Sequence, residues 1–550
     1  MYRRTPSDSC GILARHNEMP LKDAMTFSDP SCASTVARTS LSPQPSDPGS
    51  VSSDSTVDDA DHVATITGAY VFSFDLPPSR RKLGWFAGVS LSAKFQFDAK
   101  ATEADLVLTL DASQGVKKDH LLFSFLADSG NFAIRNLRQD SYVALDSRTI
   151  PHKKWAPVLT PQTVLTVGEL SYHVVWTVPQ TRERDFASRR NRYITADLGH
   201  EIPIHSISST PKPEAIRVGS WTLQDSAGKG TESVFFSAVG PQGELAAIKQ
   251  IVRKDSRSAE LAAAEIQHFE AIKSRLRTHN NRKFILSLRE VIFSSGTRDF
   301  FHVPAPAADI AHLILMPLAR GDFYSILLSP NKTPTDLASR TLLFAQAILG
   351  IAALHEVGYV HRDVKPGNLG VVSLNPPTAV VLDLGQAEYV PQDALTGVEC
   401  TPGKGGTIGF LAPEQEVEGG RYGKKVDAFA MGCVGFWLFT GRRLFSWRFN
   451  PFREPLQEGV SRKEKLQSLS LYNNALAQLG DPSSASINRL LHGLLQKVPE
   501  TRSSVEEAVG HEAVVSALGS RLQGSKDGVK RAGYLAAEEG GDRAPKQTRE

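Results

Sequence analysis

The pattern of apolar residues changes near Trp221, and this change most restricts the folds open to the chain. From about residue 65 to 198, short runs such as ADLVLTL, HLLFSFL and TVLTV are separated by turn-forming residues, and several runs alternate apolar with polar positions. Such runs predict an all-β antiparallel sandwich. After Trp221, the strand-like runs AIKQIVRK and FILSLREVIF come before or between three segments of helical length. Strands first and helices later predict an α+β domain with a small sheet lobe and a larger helical lobe.

The segments outside these patterns set the predicted domain boundaries. Ser, Thr and Pro make up 23 of the first 60 residues, a composition that forms poor cores and predicts a disordered tail over 1–60. The stretch at 206–216 contains SISSTPKP and predicts a linker. The charged, glycine-containing stretch at 521–550 predicts a second disordered tail. We therefore expect a sandwich over 61–205 and a second domain over 217–520.

Charge and cysteine content exclude several classes of protein. The 62 Lys and Arg residues nearly balance the 59 Asp and Glu residues, and the net charge of +3 creates no global field for direct nucleic-acid binding. The four cysteines form no CxxC pair, which favours a reducing compartment. The most apolar run, 430–439, is about half the ~20 residues that span a membrane. We expect an intracellular protein, of the nucleus or cytoplasm, that has no membrane partner.

The sharpest chemical signal is YVHRDVKPGNLGVV, residues 359–372. Within six residues it holds the carboxylate of Asp363, the ammonium of Lys365 and the carboxamide of Asn368. Phosphoryl transfer needs a carboxylate to orient the hydroxyl and accept its proton, a cation to neutralise the moving group, and an oxygen ligand for magnesium. HRDVKPGN resembles the catalytic loop of eukaryotic protein kinases. The resemblance implies the bilobal protein-kinase fold, ATP and Mg²⁺ as cofactors, and proteins as substrates.

A second metal-binding group follows twenty residues after Asp363. In VVLDLGQA, Asp383 ends an apolar strand, and the resemblance implies that its carboxylate binds the metal bridging the ATP phosphates. The family's usual Phe after this aspartate is Leu384 here, which keeps an apolar anchor.

Asp427 in KVDAFAMG and Arg502 in KVPETRSS match structural anchors of the family's helical lobe.

Lys249 lies within the apolar run of GELAAIKQI, where an unpaired ammonium would be costly to bury. Its expected partners are the ATP phosphates and a helix carboxylate. Glu265 is the best candidate, because the apolar residues after it in EIQHFEAI match the family's pattern after the pairing glutamate. Glu260 and Glu270 remain alternatives.

Two further segments resemble the nucleotide-binding parts of the family. In SAGKGTESVFF, Gly228 and Gly230 match a GxGxxG loop that lets backbone amides approach phosphate, while Ser233 replaces the third glycine. LILMPLARGDF resembles the hinge between kinase lobes. This resemblance implies that backbone groups of Met316 and Leu318 bind adenine.

GTIGFLAPE resembles the end of a kinase activation segment. Thr407 occupies the position at which Ser/Thr kinases hydrogen-bond the catalytic Asp and Lys, and it favours Ser/Thr over Tyr substrates. Arg362 is the basic residue that pairs, in this family, with a phosphorylated activation segment. Thr396 and Thr401 are the candidate phosphorylation sites, with Thr401 favoured.

The strand-rich region resembles a forkhead-associated (FHA) domain, an eleven-stranded sandwich that binds phosphothreonine. AKATEADLVL, VKKDHLLFSF and LTPQTVLTVGELSYHVVW match segments of that family, and His120 is structural there. Lys100 and Lys117 stand in place of the family's phosphate-binding Arg and Ser, and lysine lacks the bidentate fork of arginine. A phosphothreonine site and a degenerate docking or autoinhibitory sandwich are both open interpretations. An immunoglobulin-like sandwich is a third, disfavoured by the missing Cys…Trp…Cys framework.

A sandwich before a kinase domain is the layout of DNA-damage and meiotic checkpoint kinases. Our hypothesis is therefore an ATP- and magnesium-dependent protein Ser/Thr kinase with an FHA-like docking or regulatory domain, similar to fungal checkpoint kinases. The alternative is a pseudokinase scaffold that binds nucleotide without turnover. A third hypothesis is a phosphothreonine-binding adaptor.

Overall fold

The structure is a computed structural model that describes the greater part of the chain. The residues described are 9–15, 69–74, 78–89, 105–109, 112–178, 180–201, 210–211, 215–229, 233–253, 255–294, 309–328, 336–390, 398–399, 405–417, 421–446, 448–454, 457–481 and 485–519. The chain divides into two compact units, Met1–Ile251 and Val252–Glu550. The boundary between the units falls within the predicted second domain, and the domain boundaries drawn from the sequence stay predictions.

The first unit begins with eleven strands among its described residues. They are β1 Ser9–Arg15, β2 Ala69–Ser73, β3 Trp85–Val89, β4 Leu106–Thr109, β5 Leu121–Phe125, β6 Phe132–Asn136, β7 Val143–Leu145, β8 Arg148–Thr149, β9 Trp155–Pro157, β10 Gln162–Val167 and β11 Leu170–Val175. One sheet has the order β2-β1-β11-β10-β7-β8, and the other has the order β4-β3-β5-β6-β9. Only the pair β3–β4 is parallel among these strands.

Apolar side chains from both sheets fill one core. The ring of Phe72, from the first sheet, lies 5.0 Å from the rings of Phe123 and Phe132 of the second, measured between centroids. Leu165 and Val167 of β10 are fully buried in the same cluster. Two sheets that share a core form a β sandwich, so the predicted N-terminal sandwich and the α+β class are confirmed.

Strand β1 lies in the segment whose composition predicts a disordered tail, and that prediction is wrong for these seven residues. Residues 12–14 pair with β2 on one side and with β11 on the other. Pairing on both sides satisfies backbone groups that a lone run would leave to water. The Ser, Thr and Pro residues around it hide this short apolar run from an argument based on composition. The rest of 1–60 and all of 521–550 lie outside the described residues.

A helix that the sequence analysis does not predict follows the sandwich strands. This helix, α1, spans Glu183–Arg192. Phe186, Arg190, Tyr193 and Ile194 recur at helical spacing and are buried. An arginine at one of these positions interrupts the apolar stripe by which an amphipathic helix is recognised. The sandwich is therefore followed by a helix that the pattern of strands does not predict.

Four more strands follow among the described residues, and the last of them runs two residues past the end of the first unit. They are β12 Arg217–Val218, β13 Trp221–Lys229, β14 Ser233–Val239 and β15 Leu245–Arg253. β14 pairs antiparallel with both β13 and β15. The register between β13 and β14 shifts near Ser226 and Gly228, at the predicted glycine loop.

The second unit is mainly helical. Its described α-helices and strands are α2 Ser256–Arg275, β16 Ser287–Phe293, β17 Asp309–Met316, β18 Gly321–Asp322, α3 Leu337–Glu356, β19 Tyr359–Val360, β20 Leu369–Leu374, β21 Pro377–Val381, β22 Glu388–Tyr389, β23 Val398–Glu399, β24 Arg421–Tyr422, α4 Lys425–Thr440, α5 Arg462–Leu479, α6 Ser486–Leu494 and α7 Val505–Val509. The three segments of predicted helical length coincide with α2, α3 and α4. β16 and β17 form an antiparallel hairpin, and so do β20 and β21.

Helix α3 forms the centre of this unit. Every residue from Leu343 to His355 is buried. The Asp336 side chain caps its first turn by accepting the Ser339 N–H at 2.8 Å. α3 is long and apolar enough to cross a membrane, but 67% of its most apolar window is buried within the fold, and buried core helices meet the same criterion.

Candidate active site

The predicted catalytic loop joins α3 and β19 to β20. A single 3₁₀ turn at Pro366–Asn368 leads directly into β20. Arg362 has a left-handed φ of 69°, which is uncommon for a residue with a side chain. Its backbone N–H donates to Asp427 Oδ1 at 2.9 Å. The loop conformation is therefore held by tertiary contacts that offset local backbone strain.

Four predicted site residues meet in one hydrogen-bond cluster. The Lys365 ammonium donates to Asp363 Oδ2 at 2.7 Å and to Thr407 Oγ1 at 2.9 Å. The Thr407 hydroxyl donates to Asp363 Oδ1 at 2.6 Å, and Asn368 Nδ2 donates to Asp363 Oδ2 at 2.9 Å. The Asp363 side chain is 9% exposed. Three donors thus fix a sheltered carboxylate, which in this geometry can orient a hydroxyl and accept its proton.

Asp427, in α4, anchors the backbone of the loop. Its carboxylate accepts the His361 N–H at 2.7 Å and the Arg362 N–H at 2.9 Å. It also pairs with His355 Nε2 at 2.8 Å. Burial by itself would raise the pKa of Asp427, but the hydrogen bond and charge of His355, together with the contacts of His361, outweigh burial and hold the pKa below its usual value. This buried carboxylate fixes the two residues that directly precede Asp363.

His355 and Glu506 extend this network, and the sequence analysis assigned neither of them a role. His355 Nδ1 lies 3.3 Å from Glu506 Oε1, so the fully buried imidazole stands between the carboxylates of Asp427 and Glu506. Burial alone would lower the pKa of His355, but its bonds to the two carboxylates raise it. Burial would raise the pKa of Glu506, yet the ion pair with His355, assisted by hydrogen bonds from the Glu506 backbone and the Ser504 side chain, lowers it to about 2. The three charges connect α3, α4 and α7.

Asp383 follows β21 with a φ of 50°, a conformation that aspartate tolerates better than most residues. Its side chain is exposed, and the Gly385 N–H donates to its Oδ1 at 3.3 Å. The Leu382 N–H donates to the backbone oxygen of Asn368 at 2.8 Å. This bond ties the chain beside Asp383 to the catalytic loop.

The chemistry of Asn368 and Asp383 fits magnesium. Among the residues that the structure describes, no three His, Cys, Asp or Glu side chains cluster closely enough to hold a metal by themselves. Mg²⁺ does not need such a cluster, because it binds through one or two carboxylates together with substrate phosphates and water. The amide nitrogen of Asn368 serves Asp363, so Oδ1 is the atom that Asn368 offers to a hard cation.

Arg362 has a carboxylate partner within the fold. Its guanidinium forms an ion pair with Glu388 of β22 and lies 5.9 Å from the centroid of the Tyr422 ring. The predicted phosphorylation sites, Thr396 and Thr401, lie outside the described residues, so a phosphate partner for Arg362 stays a prediction.

A glycine turn positions Thr407 next to this arginine. Gly406 has a φ of 74°, and a Cβ there would stand 3.1 Å from the backbone oxygen of Arg362 and 2.4 Å from Leu411 Cδ2. Only glycine fits both the conformation and the space. The turn brings Thr407 to Asp363 across 44 residues of sequence.

The predicted phosphate-binding residues belong to the first unit. Gly228 lies in β13 and Ser233 begins β14, while Gly230 is outside the described residues. Lys249, in β15, is partly buried, and its ammonium lies 5.7 Å from the centroid of the Phe235 ring. The contact of these residues with nucleotide stays a prediction.

The remaining nucleotide-site residues belong to the second unit. Glu265 of α2 is partly buried, whereas Glu260 and Glu270 are exposed. Its pairing with Lys249 stays a prediction. Met316 ends β17, and Leu318, two residues later, is 6% exposed.

Arg502 ties the end of the activation-like segment to the helices. Its guanidinium makes a bidentate ion pair with Glu414, with N–O distances of 2.6 and 3.0 Å. It also donates to the backbone oxygens of Lys425 and Gln496. Because the Arg502 side chain is fully buried, this pair is part of the core of the unit.

The sandwich residues predicted to bind phosphopeptide are only partly described. Lys117 is exposed, and Lys100 lies outside the described residues. His120 is fully buried, and its Nδ1 accepts the Lys117 N–H at 3.0 Å. Burial, assisted by the charge of Arg138, lowers the pKa of His120 to about 4. A neutral imidazole therefore fixes the backbone at Lys117.

The sequence model of the protein kinase domain matches residues 221–514, more than half of the chain. The chain belongs to the protein kinase domain family. The four-residue cluster around Asp363, with Asp427 and Arg502, lies within the matched region.

Curated relatives of this kinase domain include serine/threonine kinases. The serine/threonine-protein kinase/endoribonuclease IRE1b of Arabidopsis thaliana is 24% identical over 311 residues, which cover 54% of this chain and 33% of the relative. The serine/threonine-protein kinase PknA of Corynebacterium glutamicum is 32% identical over 152 residues, 28% of this chain and 31% of the relative. The chain thus spans about a third of the length of these relatives. A crystal structure of Rad53 1-466 in complex with AMP-PNP is 17% identical, with a TM-score of 0.39 over 78% of this chain and 91% of that chain.

Within the kinase domain, two functional residues escaped sequence reasoning for a physical reason. His355 stands at the end of a mostly apolar buried run, and a buried imidazole must find hydrogen-bond partners. A histidine within a run predicted to be buried was therefore the one signal in the sequence that His355 has a polar partner. Glu506 sits in a short helix among other acidic residues, where nothing in the sequence distinguishes it from a solvated side chain.

Proposed function

We propose that this protein kinase domain transfers the γ-phosphoryl group of ATP to Ser and Thr hydroxyls of proteins. The observation that carries the proposal is the Asp363 carboxylate held by Lys365, Asn368 and Thr407. Asp363 orients the hydroxyl and accepts its proton, and Lys365 neutralises charge on the moving phosphoryl group. Serine/threonine kinases among the relatives support Ser and Thr as acceptors.

ATP and Mg²⁺ fit the residues present. When bound, Mg²⁺ neutralises charge on the phosphates. Asp383 and Asn368 Oδ1 would hold the ion. The residues that would bind ATP are Gly228, Gly230, Ser233, Lys249, Glu265, Met316 and Leu318.

The test is phosphate transfer from ATP to a generic Ser/Thr protein substrate by the full chain. We expect Asp363→Asn to abolish transfer, because the amide cannot accept the hydroxyl proton. Asp336→Asn is the matched control, since asparagine also caps a helix and Asp336 is exposed. Equal transfer by wild type and Asp363→Asn would refute the proposal.

The pseudokinase alternative gives a different result in the same experiment. Wild type would then bind ATP and Mg²⁺, as measured by calorimetry, but transfer no phosphate. Leu384, whose departure from the family motif suggests this alternative, is 1% exposed and so retains an apolar anchor beside Asp383.

We further propose that the sandwich is an FHA-like docking module for phosphothreonine proteins. Its eleven described strands and the exposed Lys117, fixed by buried His120, support this proposal. The sandwich-then-kinase layout supports checkpoint-type signalling inside the cell. Calorimetric titration of the full chain with a phosphothreonine peptide and its unphosphorylated twin tests docking. Lys117→Ala should weaken binding of the phosphorylated peptide only. Lys154→Ala, at another exposed lysine, is the control. Equal binding of the phosphorylated and unphosphorylated peptides would refute docking.

A further inference from the structure

A pocket of about 240 Å³ in the second unit adjoins the Asp363 cluster. Its wall includes Lys365 and Thr407, the two side chains that contact both each other and the Asp363 carboxylate. The pocket is therefore separated from the proposed catalytic base by the thickness of one side chain. A protein segment that presents a hydroxyl to Asp363 passes next to this pocket.

The remaining wall is mostly apolar and aromatic. The rings of Tyr324 and Trp437 lie 5.7 Å apart between centroids and form one side. The other apolar side chains of the lining are Pro366, Ile408, Phe410, Cys433, Leu444 and Phe445. Burial raises the pKa of the Cys433 thiol, so this group stays neutral. A cavity of about 150 Å³ lined by apolar side chains already holds a benzene ring, so this pocket has room for a large apolar side chain.

The charges on the wall do not favour a basic occupant. Asp322 supplies the carboxylate among the described lining residues, and its Oδ1 accepts the Ser325 N–H at 2.6 Å. Two cations, Lys365 and Arg443, share the wall, and the Arg443 guanidinium stands 4.4 Å from the centroid of the Trp437 ring. Because Asp363 already pairs with Lys365, and Arg443 balances Asp322, a lysine or arginine in the pocket would meet no surplus of negative charge and would lose its hydration among apolar groups.

We propose that this pocket is a specificity subsite that takes a large apolar side chain, Leu, Met or Phe, of the protein substrate. The inference rests on the proposed kinase function and names the class of its substrate. Because an extended peptide advances about 3.3 Å per residue, we place the apolar residue within about three residues of the phosphorylated Ser or Thr.

A peptide series phosphorylated by the full-length protein tests this subsite. Each peptide carries one Ser acceptor in an otherwise constant background, with Ala, Leu, Phe or Arg at one flanking position at a time. We expect one position at which Leu or Phe raises kcat/KM at least about tenfold over Ala, within the range that apolar pockets provide. The peptide with Arg at that position should have a kcat/KM no higher than that of the Ala peptide.

A pair of matched variants connects the preference to this wall. Trp437→Glu places a carboxylate in the pocket and should abolish the preference for Leu and Phe while improving the Arg peptide. Leu471→Glu is the control, because Leu471 is 66% exposed on α5 and outside the pocket. Tyr324→Ala is a second pocket variant, chosen because Tyr324 is half exposed and its truncation should cost less folding free energy than that of a buried ring.

Three results would count against the proposals, and they are distinguishable. If wild type phosphorylates the peptides with equal kcat/KM for Ala, Leu and Phe at every position, the subsite is refuted and the kinase function stands. If the preference persists unchanged in folded Trp437→Glu or Tyr324→Ala, the pocket is not its source. If wild type phosphorylates no peptide or protein, the proposed function fails and the subsite with it.

Discussion

Replacing Glu506 by glutamine tests whether the buried charge network supports the catalytic loop. Glu506 keeps a positive charge on His355, His355 pairs with Asp427, and Asp427 holds the N–H groups of His361 and Arg362. Glutamine has almost the same shape but no charge. We therefore expect Glu506→Gln to loosen the loop backbone without touching it directly.

The size of the effect follows from the pKa of Glu506, which falls from 4.5 to about 2 in the fold. At about 1.4 kcal/mol per pKa unit, this difference corresponds to about 3 kcal/mol. The side chain is 36% exposed, so solvent screening reduces the contribution to about 1–2 kcal/mol.

The dependence on pH has a definite sign. A carboxylate whose pKa is lowered by folding stabilises the fold above pH 4.5, and the stabilisation disappears as the pH falls towards 2. The raised pKa of His355 acts oppositely, because its contribution is present below pH 6.5 and is lost as the pH rises through the folded value. Both groups contribute fully between pH 4.5 and 6.5. Glu506→Gln should therefore reduce the stability of the fold most near pH 6 and least near pH 3.

Amide hydrogen exchange, read by mass spectrometry on peptides covering 359–364, measures local opening without assuming two-state unfolding. At pH 6 we expect about tenfold faster exchange in Glu506→Gln than in wild type, as about 1.4 kcal/mol implies. Glu507→Gln is the matched control, since Glu507 is exposed and glutamine can still accept the Ser504 N–H. If the two variants behave alike at pH 6, or if the ratio does not shrink towards pH 3, the network does not support the loop.

Three further predictions concern other buried groups. Arg502→Ala leaves Glu414 without its ion-pair partner and should lower the free energy of unfolding by about 3–5 kcal/mol. Arg489→Ala breaks a surface pair with Glu512 and should cost less than about 1 kcal/mol. A similar fall in thermal midpoint for both variants would contradict this prediction. The Cys433 thiol, 2% exposed and with a raised pKa, should be alkylated only on unfolding, as peptide mapping would reveal; labelling of native protein at the unfolded rate would be inconsistent with its burial. The His120 ring should titrate by NMR near pH 4, so the sandwich loses stability as the pH falls from 6.5 to 4; a midpoint near 6.5 would show that the ring is solvated.

Local patterns predicted the elements in which one signal dominates. α3 is buried continuously from Leu343 to His355 and α4 from Val426 to Gly435, so these long apolar runs were sufficient to identify the two helices. α1 was missed because Arg190 occupies a buried position in its apolar stripe. β1 was missed because a short run takes its stability from two neighbouring strands, both distant in sequence. Elements stabilised mainly by partners elsewhere in the chain carry little signal of their own.

The sequence by itself determined the chemistry of the candidate site. HRDVKPGN places a carboxylate, an ammonium and a carboxamide within six residues, and a single short loop is enough to bring such neighbours together. The tertiary structure alone decided what holds them in place. Thr407 reaches Asp363 across 44 residues, Asp427 reaches His361 across 66, and Glu506 meets His355 from another helix. Those bonds depend on how buried helices pack around the loop, and close packing is a property of the whole core that no local window of sequence contains.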